Sequence, residues 1–147
     1  MLFRSSLLRA PKFPDPRADQ GRHSFHHALV PGATIADAVR EGYAGNLSER
    51  RVRGDAVVEP LFAIDDDAVV VSALKLADDG SGDVVVRCYE AHGGRASALV
   101  TPGFEFAGEV EVCDLLERRI DVAELENGSV RLRLRPFQLV TLRFKRA

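Results

Sequence analysis

From Gly54 onward the apolar residues of this chain recur with a period of two, and that pattern restricts the fold more than any other feature. VVEPLFAI, AVVVSALKLA, DVVVRCYEA, SALVTPGFEF, EVEVCDLLE, SVRLRLR and PFQLVTLRFK are of strand length, with turn residues between most of them. Successive side chains of a strand point to opposite faces, so clean alternation means one buried and one wet face. SVRLRLR shows it best: Val130, Leu132 and Leu134 share one side, and Arg131, Arg133 and Arg135 the other. AVVVSALKLA is more continuously apolar, which predicts a more central strand. DDGSGD at 78–83 reads as a hairpin loop, and so does ENGS at 126–129 with Asn127-Gly128 at its tip.

Upstream the pattern changes. FRSSLLRA reads as an amphipathic strand. Its arginines and serines, with no acid before Asp15, give the N-terminus a likeness to a transit peptide, but the strand is the preferred reading. APKFPDPRADQGR, residues 10–22, holds three prolines and a glycine among alternating charges and is a loop. HSFHHALVP reads as a strand stopped by Pro31 and Gly32. TIADAVREGYAGN is the one helix, over about 34–44, with Thr34 as N-cap, Asp37 as its capping-box partner and Gly45-Asn46 as the stop. Many short strands, hairpin turns and one helix predict an all-β fold, an antiparallel β-sandwich, in a single domain over residues 1–147.

Composition removes several function classes. A net charge of −2, with arginines interspersed among acids, leaves no footprint for nucleic acid, and no apolar run is long enough for a membrane span. Cys88 and Cys113 stand apart with no CxxC and read as reduced, buried, structural residues.

Residue chemistry alone does not make the chain an enzyme. RCYEAHGG brings Cys88, Glu90 and His92 to one side of a strand, but next neighbours there are about 7 Å apart, too far for a thiolate–imidazole pair. A strand running into a Gly93-Gly94 turn explains it better. His23 and His27 have zinc-ligand spacing only if HSFHH is helical, and no third ligand is placed. Asp65-Asp66-Asp67 and Asp78-Asp79 lie beside turns as solvated acids, and DDGSGD lacks the length and closing glutamate of a calcium loop. PDPRADQG differs, because a Pro-rich segment with Asp15, Asp19, Arg17 and Arg22 serves no core, and loops of this kind carry function. No GxSxG, HExxH, phosphate-binding loop or dinucleotide fingerprint occurs.

LLRAPKFPDPRADQGRHSFHHAL, SALKLADDGSGDVVVRCYEAHGG, DLLE and RPFQLVTLRF, in that order, resemble the C-terminal region of glycoside hydrolase family 38 α-mannosidases, of the bacterial and cytosolic-type branch. The resemblance implies a non-catalytic portion of a larger cytoplasmic enzyme that hydrolyses α-mannosides. Zinc, the aspartate nucleophile and the retaining chemistry would belong to an α/β barrel and a helical domain outside this chain, so no catalytic residue, metal ligand or cofactor is expected within it. The partners implied are that barrel, the helical domain and the α-mannoside substrate. The same likeness suggests that the ADQGRH loop reaches the rim of the substrate pocket or an interface, with Arg9, Asp15, Asp19, Gly21 and His23 as its candidate residues. A barrel-facing surface left bare would be apolar and prone to self-association. The rival readings are a free-standing carbohydrate-binding module, disfavoured by the absence of Trp, and a protein-interaction module.

Overall fold

The computed structural model describes residues 4–49 and 51–147. They form two compact units, Met1–Glu49 and Arg50–Ala147.

Among the described residues the strands lie in the second unit: β1 (Phe62–Ile64), β2 (Val69–Leu76), β3 (Val84–Glu90), β4 (Ala96–Pro102), β5 (Phe106–Cys113), β6 (Arg119–Val122), β7 (Leu125–Glu126), β8 (Ser129–Leu134) and β9 (Leu139–Arg146). They make a four-stranded sheet, β1-β4-β8-β7, and a five-stranded sheet, β2-β3-β9-β5-β6, antiparallel throughout. One apolar cluster joins the two, so the expected β-sandwich is present. Ala96, Ala98 and Val100 from β4 and Val130, Leu132 and Leu134 from β8 meet Val86 and Cys88 of β3, Val110 of β5, and Val140, Leu142 and Phe144 of β9. The alternation of SVRLRLR is realised as read. Phe144 is fully buried, with the rings of Phe62, Phe106 and Phe104 at 5.2, 5.4 and 5.9 Å. Ring–ring contacts at that distance add to the burial of the rings themselves.

Three expectations need correction. AVVVSALKLA is not central: β2 is an edge strand, and Leu74 and Leu76 stay 42% and 65% exposed although they pair with the core-side residues Val86 and Val84. The central strand is β9, whose Val140, Leu142 and Phe144 alternate with Thr141, Arg143 and Lys145. The other two corrections concern residues 4–10 and 23–31, which are exposed and belong to no strand. Their composition suits a strand, but strand structure needs a ladder partner, and none is supplied by the described residues. β6 and β7 went unforeseen because they are short, exposed edge strands without an apolar alternation to mark them.

The outer face of the five-stranded sheet is roofed by loops through ion pairs. The 78–83 hairpin loop folds onto β9, where Arg143 donates through Nε to Asp83 Oδ2 at 2.7 Å and through Nη2 to Asp79 Oδ2 at 2.6 Å. Lys145 adds contacts to Asp83 and Glu111 at 3.4 and 3.1 Å. Arg87 donates to Thr141 Oγ1 and to the Leu115 carbonyl, both at 3.1 Å, and so ties down the loop after β5. Arg143 and Asp83 side chains are only 11% and 8% exposed, so losing one partner strands the other away from water. Arg143→Ala is expected to cost about 2–3 kcal/mol by urea denaturation. Arg133→Ala, which breaks a pair exposed at 70% and 59%, should cost less than about 0.5 kcal/mol.

In the first unit the helix expectation holds. The helix α1 (Ile35–Asn46) starts in a full capping box: Thr34 Oγ1 accepts the Asp37 N–H at 3.2 Å, and Asp37 Oδ2 accepts the Thr34 N–H at 2.9 Å. The helix runs through Gly45-Asn46 to a cap at Leu47, and it buries no residue; Ile35 is 77% exposed.

Candidate functional site

The loop of residues 10–22 is organised by two aspartates. Asp15 Oδ1 accepts the N–H of Arg17 at 2.9 Å and its carbonyl accepts the N–H of Ala18 at 3.1 Å, which closes a turn over Pro16. Asp19 Oδ2 accepts the N–H of Ala10 at 3.2 Å, and its carbonyl lies 2.9 Å from His23 Nε2. Asp19 thus ties both ends of the loop to its middle. It does so from a left-handed backbone, φ 57°, and Gly21 follows at φ 128°, which L side chains rarely adopt. Of the five candidate residues, Asp15, Asp19, Gly21 and His23 are therefore held in one closed loop. Arg9 precedes its anchor point at Ala10 and makes no hydrogen bond among the described residues. The loop is exposed almost throughout, and its carboxylates face outward with lone pairs to spare. Chemically it can accept hydrogen bonds from hydroxyl groups or from a partner, and it has no paired nucleophile and base.

His23, Phe25 and His27 stack in a row with ring centroids 6.0 and 6.1 Å apart. Among the described residues no group of three or more His, Cys, Asp or Glu side chains is placed to hold a metal ion.

The cluster in RCYEAHGG proves to be architecture. Cys88 is wholly buried in the core, and burial pushes its thiol up to about 11, far from a thiolate at neutral pH. Cys113 is also buried, and both are free thiols. Glu90 is fully buried, and its two oxygens accept four backbone N–H groups: His92 at 2.8 Å and Gly94 at 3.1 Å on Oε1, Gly93 and Phe137 at 2.9 Å each on Oε2. Those bonds, the one from Phe137 foremost, hold the carboxyl below the ordinary glutamate range. The carboxylate straps the 91–94 turn to the 135–138 turn, which carries Phe137 at φ 56°. The sequence held a signal for this role: an acid on the core-facing side of a strand, one residue removed from the His92-Gly93-Gly94 turn, must find N–H donors or stay unburied.

Two further carboxylates are lowered in the same way, Glu117 by Lys75 and by the Asp78 N–H, and Asp114 by Arg118 and the Leu116 N–H. A carboxylate with a depressed folded value stabilises the fold above its unfolded value, and that contribution is lost as pH falls through the folded one. Both glutamates ordinarily titrate near 4.5. Melting temperature followed against pH should therefore show no loss from these groups down to about pH 5, and a progressive fall below about pH 4.5. A melting temperature that rises on acidification through that range would contradict the assignment.

The family described as the glycosyl hydrolases family 38 C-terminal β-sandwich domain matches residues 68–142, from the start of β2 to the middle of β9. Among characterised proteins, the chain is similar to alpha-mannosidase 2C1 of Homo sapiens, 34% identical over 148 aligned residues that cover 93% of the chain. Alpha-mannosidase G of Dictyostelium discoideum is 30% identical over 95% of the chain, and the alpha-mannosidase of Saccharomyces cerevisiae 27% over 97%. The chain spans only 14% of the length of the first two and 16% of the third.

Proposed function

We infer what this chain does from the family to which it belongs, the C-terminal β-sandwich domains of glycosyl hydrolases family 38: it is a non-catalytic portion of an α-mannosidase and completes the fold of that enzyme. The observation that carries this reading is the alignment of nearly the whole chain with a small part of several α-mannosidases. Cys88 and Glu90, the reactive groups of RCYEAHGG, are occupied by packing and by strapping two turns together. Hydrolysis of the α-mannoside, with its zinc and its retaining course, takes place on a barrel outside these residues. The described side chains offer no donor cluster for such a metal, and no step runs through one here. The cytoplasmic setting belongs to the same proposal; among the described residues no helix is long and apolar enough to cross a membrane.

Within that enzyme the 10–22 loop borders the substrate pocket. Asp19 is the central residue, because its side chain and its carbonyl together fix Ala10 and His23. Its free lone pairs, with those of Asp15, accept hydrogen bonds from sugar hydroxyls or orient barrel residues.

The test uses this chain and an α-mannosidase body from which the matched region has been deleted. Titration calorimetry should show the two associating, and no association would sink the reading. In the assembled enzyme Asp19→Ala should raise KM about tenfold and leave kcat within about twofold. An unchanged KM would remove the loop from the pocket.

A further inference from the structure

We propose that residues 22–30 are a β-strand held ready for a sheet edge on the remainder of an α-mannosidase, so that the chain docks by strand addition. This rests on the reading above that the chain completes such an enzyme. It adds the mode of attachment and the segment responsible.

His23, Phe25 and His27 stack on one side at 6.0 and 6.1 Å, close to the repeat of about 6.6–6.8 Å between alternate side chains of a strand. The backbone from His23 to His27 is therefore extended, with the three rings in a row along it. Yet among the described residues no backbone hydrogen bond is made by residues 22–30. Residues 4–10, the other stretch of strand composition in this unit, do not pair with them either. The segment has what a strand needs except a neighbour: an aromatic and a β-branched residue, Phe25 and Val30, and no proline until Pro31. Its side chains are all exposed, with Phe25 at 46%, Leu29 at 81% and Val30 at 42%.

A groove of 660 Å³ lies between the segment and α1, and both odd- and even-numbered residues of the segment, among them Phe25, His26, His27 and Val30, line it opposite Ala38 and Gly42. Among the described residues neither edge of this backbone, where ladder bonds would form, carries a backbone hydrogen bond. An ordered row of unpaired N–H and C=O groups beside apolar side chains is the template for pairing with another sheet edge.

The occupant follows from the lengths of the relatives. The chain aligns with only 14% to 16% of each, so most of each α-mannosidase lies outside the matched region and on the same polypeptide as the counterpart of this segment. A covalently linked edge meets the segment at an effective concentration that a second copy of this chain would not match.

Strand addition has a signature that general packing lacks. Only every other N–H of a strand points at a given neighbour, so proline should hurt with a period of two. The experiment mixes the full chain with the Dictyostelium discoideum enzyme lacking the matched region and follows amide exchange and affinity. Where that body does not fold alone, a chimera with this chain in place of the matched region is used, with melting temperature in place of affinity. Exchange at alternate amides of 22–30 should slow by about 100-fold on assembly. Single prolines at 24, 25, 26, 27 and 28 should alternate between losses of about tenfold or more in affinity and losses under about threefold. In the chimera the same alternation should appear in the melting temperature.

Association with unchanged exchange at 22–30 and no alternation would overturn strand addition and leave the completing-domain reading intact. No association, with a chimera that does not fold, would overturn both. Protection of the same amides in the chain alone, growing with its concentration, would make a second copy the occupant and overturn the proposal.

Discussion

Replacing Phe144 with alanine is expected to destabilise the sandwich by about 3–5 kcal/mol, the range for truncating a buried aromatic ring. Phe144 has no exposed surface and is surrounded by the rings of Phe62, Phe104 and Phe106, which belong to other segments of the chain. Alanine would remove its contact to all three and leave a cavity that the β-sheet backbone cannot collapse to fill. A domain stability of about 5–15 kcal/mol leaves little after such a loss. Phe144→Leu keeps most of the volume and should cost about 1–2 kcal/mol. Urea denaturation of the full chain distinguishes the two, and equal effects would mean that the aromatic cluster is not where the sheets are fastened.

Glu90→Gln should lower the melting temperature by roughly 10–20 °C, an outsized effect for exchanging one oxygen for an amide nitrogen. Each carboxylate oxygen accepts two N–H groups, His92 and Gly94 on one and Gly93 and Phe137 on the other. A carboxamide keeps one acceptor and turns an NH₂ toward the remaining pair, so two buried donors lose their partner and face another donor. Amide exchange should accelerate first at whichever pair meets the NH₂, while amides of β4 and β8 change only with global stability. A fall of less than about 3 °C would mean that the two turns hold together without the carboxylate.

The parts of this molecule that were legible in the sequence are those set by local physics. The alternation of Val130, Leu132 and Leu134 with arginines fixed the facing of β8, and Asn127-Gly128, with φ values of 50° and 81°, fixed the turn before it. Thr34 and Asp37 announced the start of α1. What composition could not show is which strand lies at an edge. The apolar run of β2 suggested burial on both faces, whereas Leu74 and Leu76 lie on an uncovered margin of the larger sheet. Residues 4–10 and 23–31 show the same limit from the other side, since strand composition becomes strand structure only when a neighbour accepts the ladder.

At the candidate loop, the sequence pointed to residues 10–22 through proline and charge, and the ties from Asp19 to Ala10 and His23 give that segment a closed shape. For Glu90 the sequence marked an acid on the core-facing side of a strand but not its partners, which are backbone groups of two separate turns that residue types do not record.

The most direct test of the central claim is hydrolysis of an aryl α-mannoside, with zinc present, by this chain alone, by an α-mannosidase body lacking the matched region, and by the two mixed. The account predicts no turnover from the chain, little from the body, and activity on mixing that saturates with added chain. Turnover by the 147 residues alone would contradict it.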